Sequence, residues 1–125
     1  MKSKIESKSA PAAIGPYSQA TVAGNTCYVS GMLGIDPATG ELKEGIEAQA
    51  EQALLNLEAV LKAAELTTAS VVKTTVFLTD MGAFGQVNAI YSKHFSAPYP
   101  ARSCVQVSVL PKGGLFEIEA IAVRG

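Results

Sequence analysis

The chain has 125 residues, enough for one domain with its own core and too few for two. Its formal net charge is −1 and its basic residues are dispersed, which leaves no footprint for nucleic-acid binding driven by phosphate neutralisation. Hydrophobic residues make up 48% and charged ones 17%, a balance that asks for a thick core or for a surface covered by further copies of the chain.

The chain begins "MKSKIESKSA", polar and charged, without the apolar stretch of a signal peptide. No apolar run approaches the roughly 20 residues of a membrane span. The expectation is a soluble cytoplasmic protein in which Cys27 and Cys104 are free thiols. "GPYSQATVAGNTCYVSG" carries two β-rich runs around Gly24-Asn25, a hairpin signal. "MLGIDPATGEL" predicts a short third strand and a turn at Asp36-Pro37 and Thr39-Gly40.

From Ile46 to Leu66 the residues Ala50, Ala53, Leu54, Leu57, Leu61 and Ala64 recur at helical spacing, with Glu47, Glu51, Glu58 and Lys62 on the other side. Ser70 to Asp80 is β-branched and aromatic, a strand. Phe84, Val87, Ile90, Tyr91 and Phe95 form a second helical stripe, closed by Pro98 and Pro100. A strand running to about Leu110, a turn at "PKGG" and a last strand, "LFEIEAIAV", complete the chain.

The order β-β-β-α-β-α-β-β predicts one α+β domain over residues 1–125, a two-layer sandwich with a mixed sheet of about six strands and two helices on one face. Several strands are apolar on both faces. Phe116, Ile118, Ala120 and Ala122 oppose Ile121 and Val123, and Val72, Val76 and Leu78 oppose Val71 and Phe77. Two helices cover one face only, so the other must meet another subunit.

"YPARSCVQVSVLPKGG" raises the question of what Arg102 and Cys104 face. Alternation puts Ala101, Ser103, Val105, Val107 and Val109 on one face, read as the core row. Arg102, Cys104, Gln106 and Ser108 fall on the other. Glu117 and Glu119 lie opposite Phe116 and Ile118, available to share a surface with Arg102. On residues alone, Arg102 reads either as a surface ion pair worth about 0–1 kcal/mol or as an anion site built on its planar fork. His94 is the only histidine, and no cluster at ligand spacing suggests a metal.

"AIGPYSQA", "VSGMLGIDPATGEL", "VVKTTVFLTDM", "VNAIYSKHF", "YPARSCVQV" and "LPKGGLFEIEAIAV" together resemble the Rid (YjgF) family of reactive-intermediate imine deaminases, over about Ala10 to Val123. The RidA branch is the most similar, because Arg102 is present and followed by Ser-Cys. The resemblance implies a chorismate-mutase-like fold and a homotrimer with clefts between subunits. It implies hydrolysis of 2-aminoacrylate, 2-aminocrotonate and their imine tautomers to 2-oxo acids and ammonia, with no cofactor and no metal.

In that reading Arg102 clamps the substrate carboxylate, Glu117 activates water and Tyr17 closes the cleft. Ser30, Gly31, Asn88 and Cys104 line it, Gly31 and Cys104 through backbone groups. Cys104 as a nucleophile has no neighbour in sequence to lower its pKa. Two departures from the family pattern are Met32, where glutamine is commoner, and Gly82-Ala83, in place of a polar pair. Met32 is positioned to reshape a pocket wall. An endoribonuclease or translation inhibitor, and a non-catalytic carboxylate-binding trimer, stand as the alternatives.

Overall fold

A computed structural model describes all of residues 1–125. Six strands form one sheet in the order β1-β2-β3-β6-β4-β5. They are β1 (Lys2–Ile5), β2 (Ala20–Ala23), β3 (Thr26–Leu33), β4 (Val71–Leu78), β5 (Ala101–Gln106) and β6 (Phe116–Val123). Helices α1 (Ile46–Ala63) and α2 (Phe84–His94) form the second layer. Only β4 and β5 pair in parallel, joined by the α2 crossover. β6 lies antiparallel between β3 and β4.

The α+β expectation holds, with two differences. The third strand expected from Met32 is the end of β3, which runs on through Leu33 across an irregularity between Val29 and Met32. The sixth strand is instead the polar N-terminus, where Lys2–Ile5 pairs with β2 as an edge. An edge strand buries little, so it carries no apolar alternation for a pattern to detect.

α1 buries the expected stripe: Ala50, Ala53, Leu54, Leu57, Leu61 and Ala64 are all in the core. Beneath it lie Phe116, Ile118, Ala120 and Ala122 of β6 with Val76 and Leu78 of β4. A register shift between Val71 and Lys73 buries Val71 and leaves Val72 exposed, the reverse of simple alternation at that end of β4.

Three buried amides, unremarked in the sequence, hold the loops to this core. Asn56 donates to the Leu33 and Ile35 carbonyls at 3.0 and 2.9 Å. Gln49 donates to the Lys43 carbonyl and accepts from the Leu115 N–H at 2.8 Å. Gln19 accepts from the Ser7 N–H and donates to the Pro11 carbonyl at 2.7 Å, fixing the segment that leads into Tyr17. Each satisfies loop groups that would otherwise be costly to bury.

The opposite face of the sheet has no second layer. Tyr28 (49% exposed), Val105 and Val123 stand on it beside the half-buried Phe77 and Ile121.

α1 ends in a Schellman arrangement: the Leu66 N–H reaches the Leu61 carbonyl at 2.8 Å and the Glu65 N–H reaches that of Lys62 at 2.9 Å. This places Glu65 at φ 62°, a left-handed conformation that costs a residue with a Cβ about 1 kcal/mol. Glu65→Gly is expected to stabilise the protein by about 0.5–1 kcal/mol, raising Tm by ~3 °C at fixed protein concentration in calorimetry. An unchanged or lower Tm contradicts the assignment of strain to this position.

Candidate active site

Arg102 projects from β5 toward α2. Its Nη1 donates to Asn88 Oδ1 at 2.7 Å. Its guanidinium carbon lies 4.8 Å from the Tyr91 ring centroid and 5.4 Å from that of Phe84. Phe84, Asn88 and Tyr91 recur at i, i+4 and i+7, one face of α2. Beside Arg102 in the sheet is Thr74 of β4, fully buried, whose hydroxyl meets the Tyr91 hydroxyl at 2.8 Å. The arginine therefore sits on a preset platform of two rings and an amide oxygen.

This inverts the faces expected of β5. Arg102 and Cys104 point to the helix side, where Cys104 packs against the core. Ala101, Ser103 and Val105, read as the core row, are exposed on the open face. The strand beyond Gln106 has ended, so Val107 and Val109 take no part in the row. Apolar residues on an uncovered face look like core residues to any pattern, because both are apolar.

Arg102 makes no ion pair within the chain; the ion pairs present are Lys4–Glu6, Lys43–Asp36 and those of His94 with Glu51 and Glu58. The rings are worth about 0.5–2 kcal/mol to the guanidinium, and Asn88 offers a neutral oxygen. Its positive charge is oriented and left without a counter-charge.

The remaining candidates gather elsewhere. Glu117 lies on the open face of β6, so it does not share a surface with Arg102 within one chain. Its carboxyl folds over Gly31: a Cβ at Gly31 would overlap Glu117 Oε2 and lie 2.8 Å from its Cδ. Burial, and then repulsion from Glu119, raise the Glu117 pKa, moving the group toward a working pH where it can both accept and return a proton. Ser30, next to Gly31, donates through Oγ to the Ser18 carbonyl at 2.6 Å and through its N–H to the Gln19 carbonyl at 2.9 Å. That pair of bonds ties β3 to the segment bearing Tyr17, which is 53% exposed.

The seven candidates thus fall into two groups. Asn88, Arg102 and Cys104 lie on the helix side near one edge of the sheet. Ser30, Gly31 and Glu117 lie along β3 and β6, and Tyr17 lies in the segment before β2 that Ser30 holds. Burial raises the Cys104 thiol pKa and nearby Arg102 opposes it only in part, which keeps the thiol a weak nucleophile. Met32 is a core residue, 5% exposed on the helix side, and does not line the open-side cluster. Phe84 and Tyr91 belong to the arginine's surroundings, although in the sequence they read only as core stripe; their spacing with Asn88 was the available signal.

Residues 7–124 match the family model described as Endoribonuclease L-PSP. A Bos taurus protein named 2-iminobutanoate/2-iminopropanoate deaminase is 52% identical over 122 residues, spanning 97% of this chain and 89% of its own. RidA from an Antarctic Psychrobacter superposes with a TM-score of 0.96 at 50% identity, over 98% of this chain and 99% of that one. E. coli TdcF with bound serine gives a TM-score of 0.93 at 42% identity, over the same shares of the two chains.

The Gly31 contact is testable. Gly31→Ala is expected to push the Glu117 side chain aside rather than break the sheet, because the colliding atoms end a flexible side chain. A crystal structure of the variant should contain the native fold with Glu117 in another rotamer. A structure in which Glu117 stays unmoved beside the added methyl group contradicts the packing described.

Proposed function

The chain belongs to the Endoribonuclease L-PSP family, the RidA/YjgF proteins, and from that premise we propose that it is a 2-iminobutanoate/2-iminopropanoate deaminase. The observation that carries this reading is the oriented, uncompensated charge of Arg102. A small 2-imino acid brings the missing partner, a carboxylate that accepts two parallel hydrogen bonds from the guanidinium fork.

The chemistry asks for little beyond position. An iminium carbon is already electrophilic. Glu117 takes a proton from water as its oxygen bonds to that carbon, and the C=N double bond becomes the single bond of a carbinolamine. Glu117 returns the proton to nitrogen, the C–N bond breaks, and the carbinolamine hydroxyl gives its own proton to the Glu117 carboxylate as it becomes the carbonyl of the 2-oxo acid. Ammonia leaves. An enamine such as 2-aminoacrylate first takes a proton at C3 to become the imine. Tyr17 closes the site and supplies a hydroxyl, and Asn88 holds the arginine. Ser30, Gly31 and Cys104 form the wall, the last two through their backbones.

The same reading includes a cytoplasmic homotrimer. Its support is the division of the candidates between two faces of one sheet, together with the uncovered face on which Tyr28, Val105 and Val123 are exposed. A cleft drawing Arg102 from one copy and Glu117 from the next unites the two groups and covers that face. The family's description as an endoribonuclease finds little footing here, because the formal net charge is −1 and the bases are dispersed.

Light scattering is expected to give about three times the 13.0 kDa chain mass. A stable monomer at micromolar concentration, with deaminase activity, overturns the shared cleft. Arg102→Ala is expected to leave fold and assembly intact and to lower kcat/KM by roughly a hundred- to several-thousand-fold, the equivalent of about 3–5 kcal/mol. The assay generates the imine in situ with a serine or threonine dehydratase and follows the 2-oxo acid. Arg102→Lys should recover little, since a point charge does not reproduce the fork. Glu117→Gln should depress kcat, whereas the Arg102 variants should mainly raise KM. Wild-type rates in Arg102→Ala end this mechanism.

A further inference from the structure

α2 is fastened to α1 by polar contacts remote from the candidate site. His94, the last residue of α2, has a side chain only 9% exposed. Its Nδ1 is 2.8 Å from Glu58 Oε2 and its Nε2 is 2.9 Å from Glu51 Oε1. Seven residues separate the two glutamates, about two turns, so both reach the ring from one face of α1. Carboxylates only accept hydrogen bonds, so both contacts are made together only when both ring nitrogens carry protons. A neutral ring must release one of them.

The charged and titratable groups facing His94 are few. α1 presents Glu51 and Glu58; its own helix presents Lys93 and, one turn back, Tyr91; Arg102 of β5 lies across the Tyr91 ring. Burial lowers the His94 pKa, but the hydrogen bonds and charges of Glu51 and Glu58 together outweigh it, so the net shift is upward. At the other end of the helix pair, Gln86 donates to Glu47 at 3.1 Å, but that contact is exposed. The platform under Arg102 is carried by the same α2: Tyr91 precedes His94 by three residues and Asn88 by six, about 9 Å along a rigid helix.

We propose that His94 is a positioning residue for the Arg102 site: clamped as an imidazolium between Glu51 and Glu58, it sets the docking of α2 and thereby the Asn88 and Tyr91 contacts that aim the guanidinium. The proposal rests on the reading of Arg102 as a carboxylate clamp. The sign follows from the raised pKa. The clamp is complete below the ordinary histidine value of about 6.5 and is lost as pH rises through the higher value in the folded protein.

The test is calorimetric titration of the assembled protein with 2-oxobutanoate, a product-class carboxylate that does not react, from about pH 6 to about pH 9.5. His94→Gln is expected to weaken binding about three- to tenfold at the acid end and to merge with wild type at the alkaline end. His94→Lys, charged to about pH 10, should hold the acid-end affinity of wild type across the range and so bind more tightly than wild type at the alkaline end. In the imine assay His94→Gln should raise KM and leave kcat within about twofold, which a general loss of structure would not do. The difference between the curves reads His94, because Glu117 titrates in every variant.

Arg102→Ala separates the two failures. If it binds 2-oxobutanoate like wild type, the carboxylate clamp is wrong. If it binds poorly while His94→Gln matches wild type at about pH 6, the positioning role is wrong and the clamp stands. Should His94→Gln fail to fold, Glu58→Gln serves instead, removing one charge and moving the loss of affinity to lower pH; an unmoved profile overturns the proposal. A neutral His94 by nitrogen-15 imidazole shifts in the wild type at about pH 6 also overturns it.

Discussion

β6 lies inside the sheet, between β3 and β4, with one face wholly apolar and the other shared by two glutamates and two apolar residues, and much else follows from that. One face, Phe116, Ile118, Ala120 and Ala122, is sealed by α1. Each large side chain removed from water there contributes about 1.5–3 kcal/mol, so that face holds the fold. The other, bearing Ile121 and Val123, has only the neighbouring strands beside it. Glu117 is embedded in that second face, where burial keeps its carboxyl protonated to a higher pH than in water.

The second organising element is an arginine with a defined direction and no counter-ion. A free surface arginine samples many rotamers, and fixing one costs up to about 2 kcal/mol of side-chain entropy. Here α2 has met that cost before any ligand arrives, through Asn88 and the faces of Phe84 and Tyr91. Thr74 in turn fixes the Tyr91 hydroxyl, so the platform is anchored in the sheet as well as in the helix. On the reading of Arg102 as a carboxylate clamp, the ligand has only its own freedom to lose.

Legibility from sequence followed burial. α1 is apparent because its buried stripe has a period, and β6 because one of its faces is wholly apolar. β1 escaped because a lysine-bearing edge strand has neither signal. The faces of β5 were misread because Val105 on the bare side and Cys104 on the covered side are both acceptable core residues; which is covered depends on where α2 docks. The Val71–Val72 inversion comes from a register shift, which alternation cannot register. Arg102, Glu117 and their companions were recognisable by resemblance, yet their separation onto two faces was not, because it depends on strand order and pairing that no local pattern encodes. The three buried amides were invisible for a similar reason: Gln19, Gln49 and Asn56 look like any polar residue until the loops they bind are in place.

The two thiols have a bearing on durability. Enamines and iminium ions are electrophiles or their precursors, and a thiolate adds to them or to their products readily. Cys27 is 1% exposed in the core, and Cys104 is half-covered beside the guanidinium. Burial raises both pKa values, which keeps the reactive anion scarce. For a catalyst that meets such compounds at every turnover, scarce thiolate means fewer chances of alkylating its own side chains.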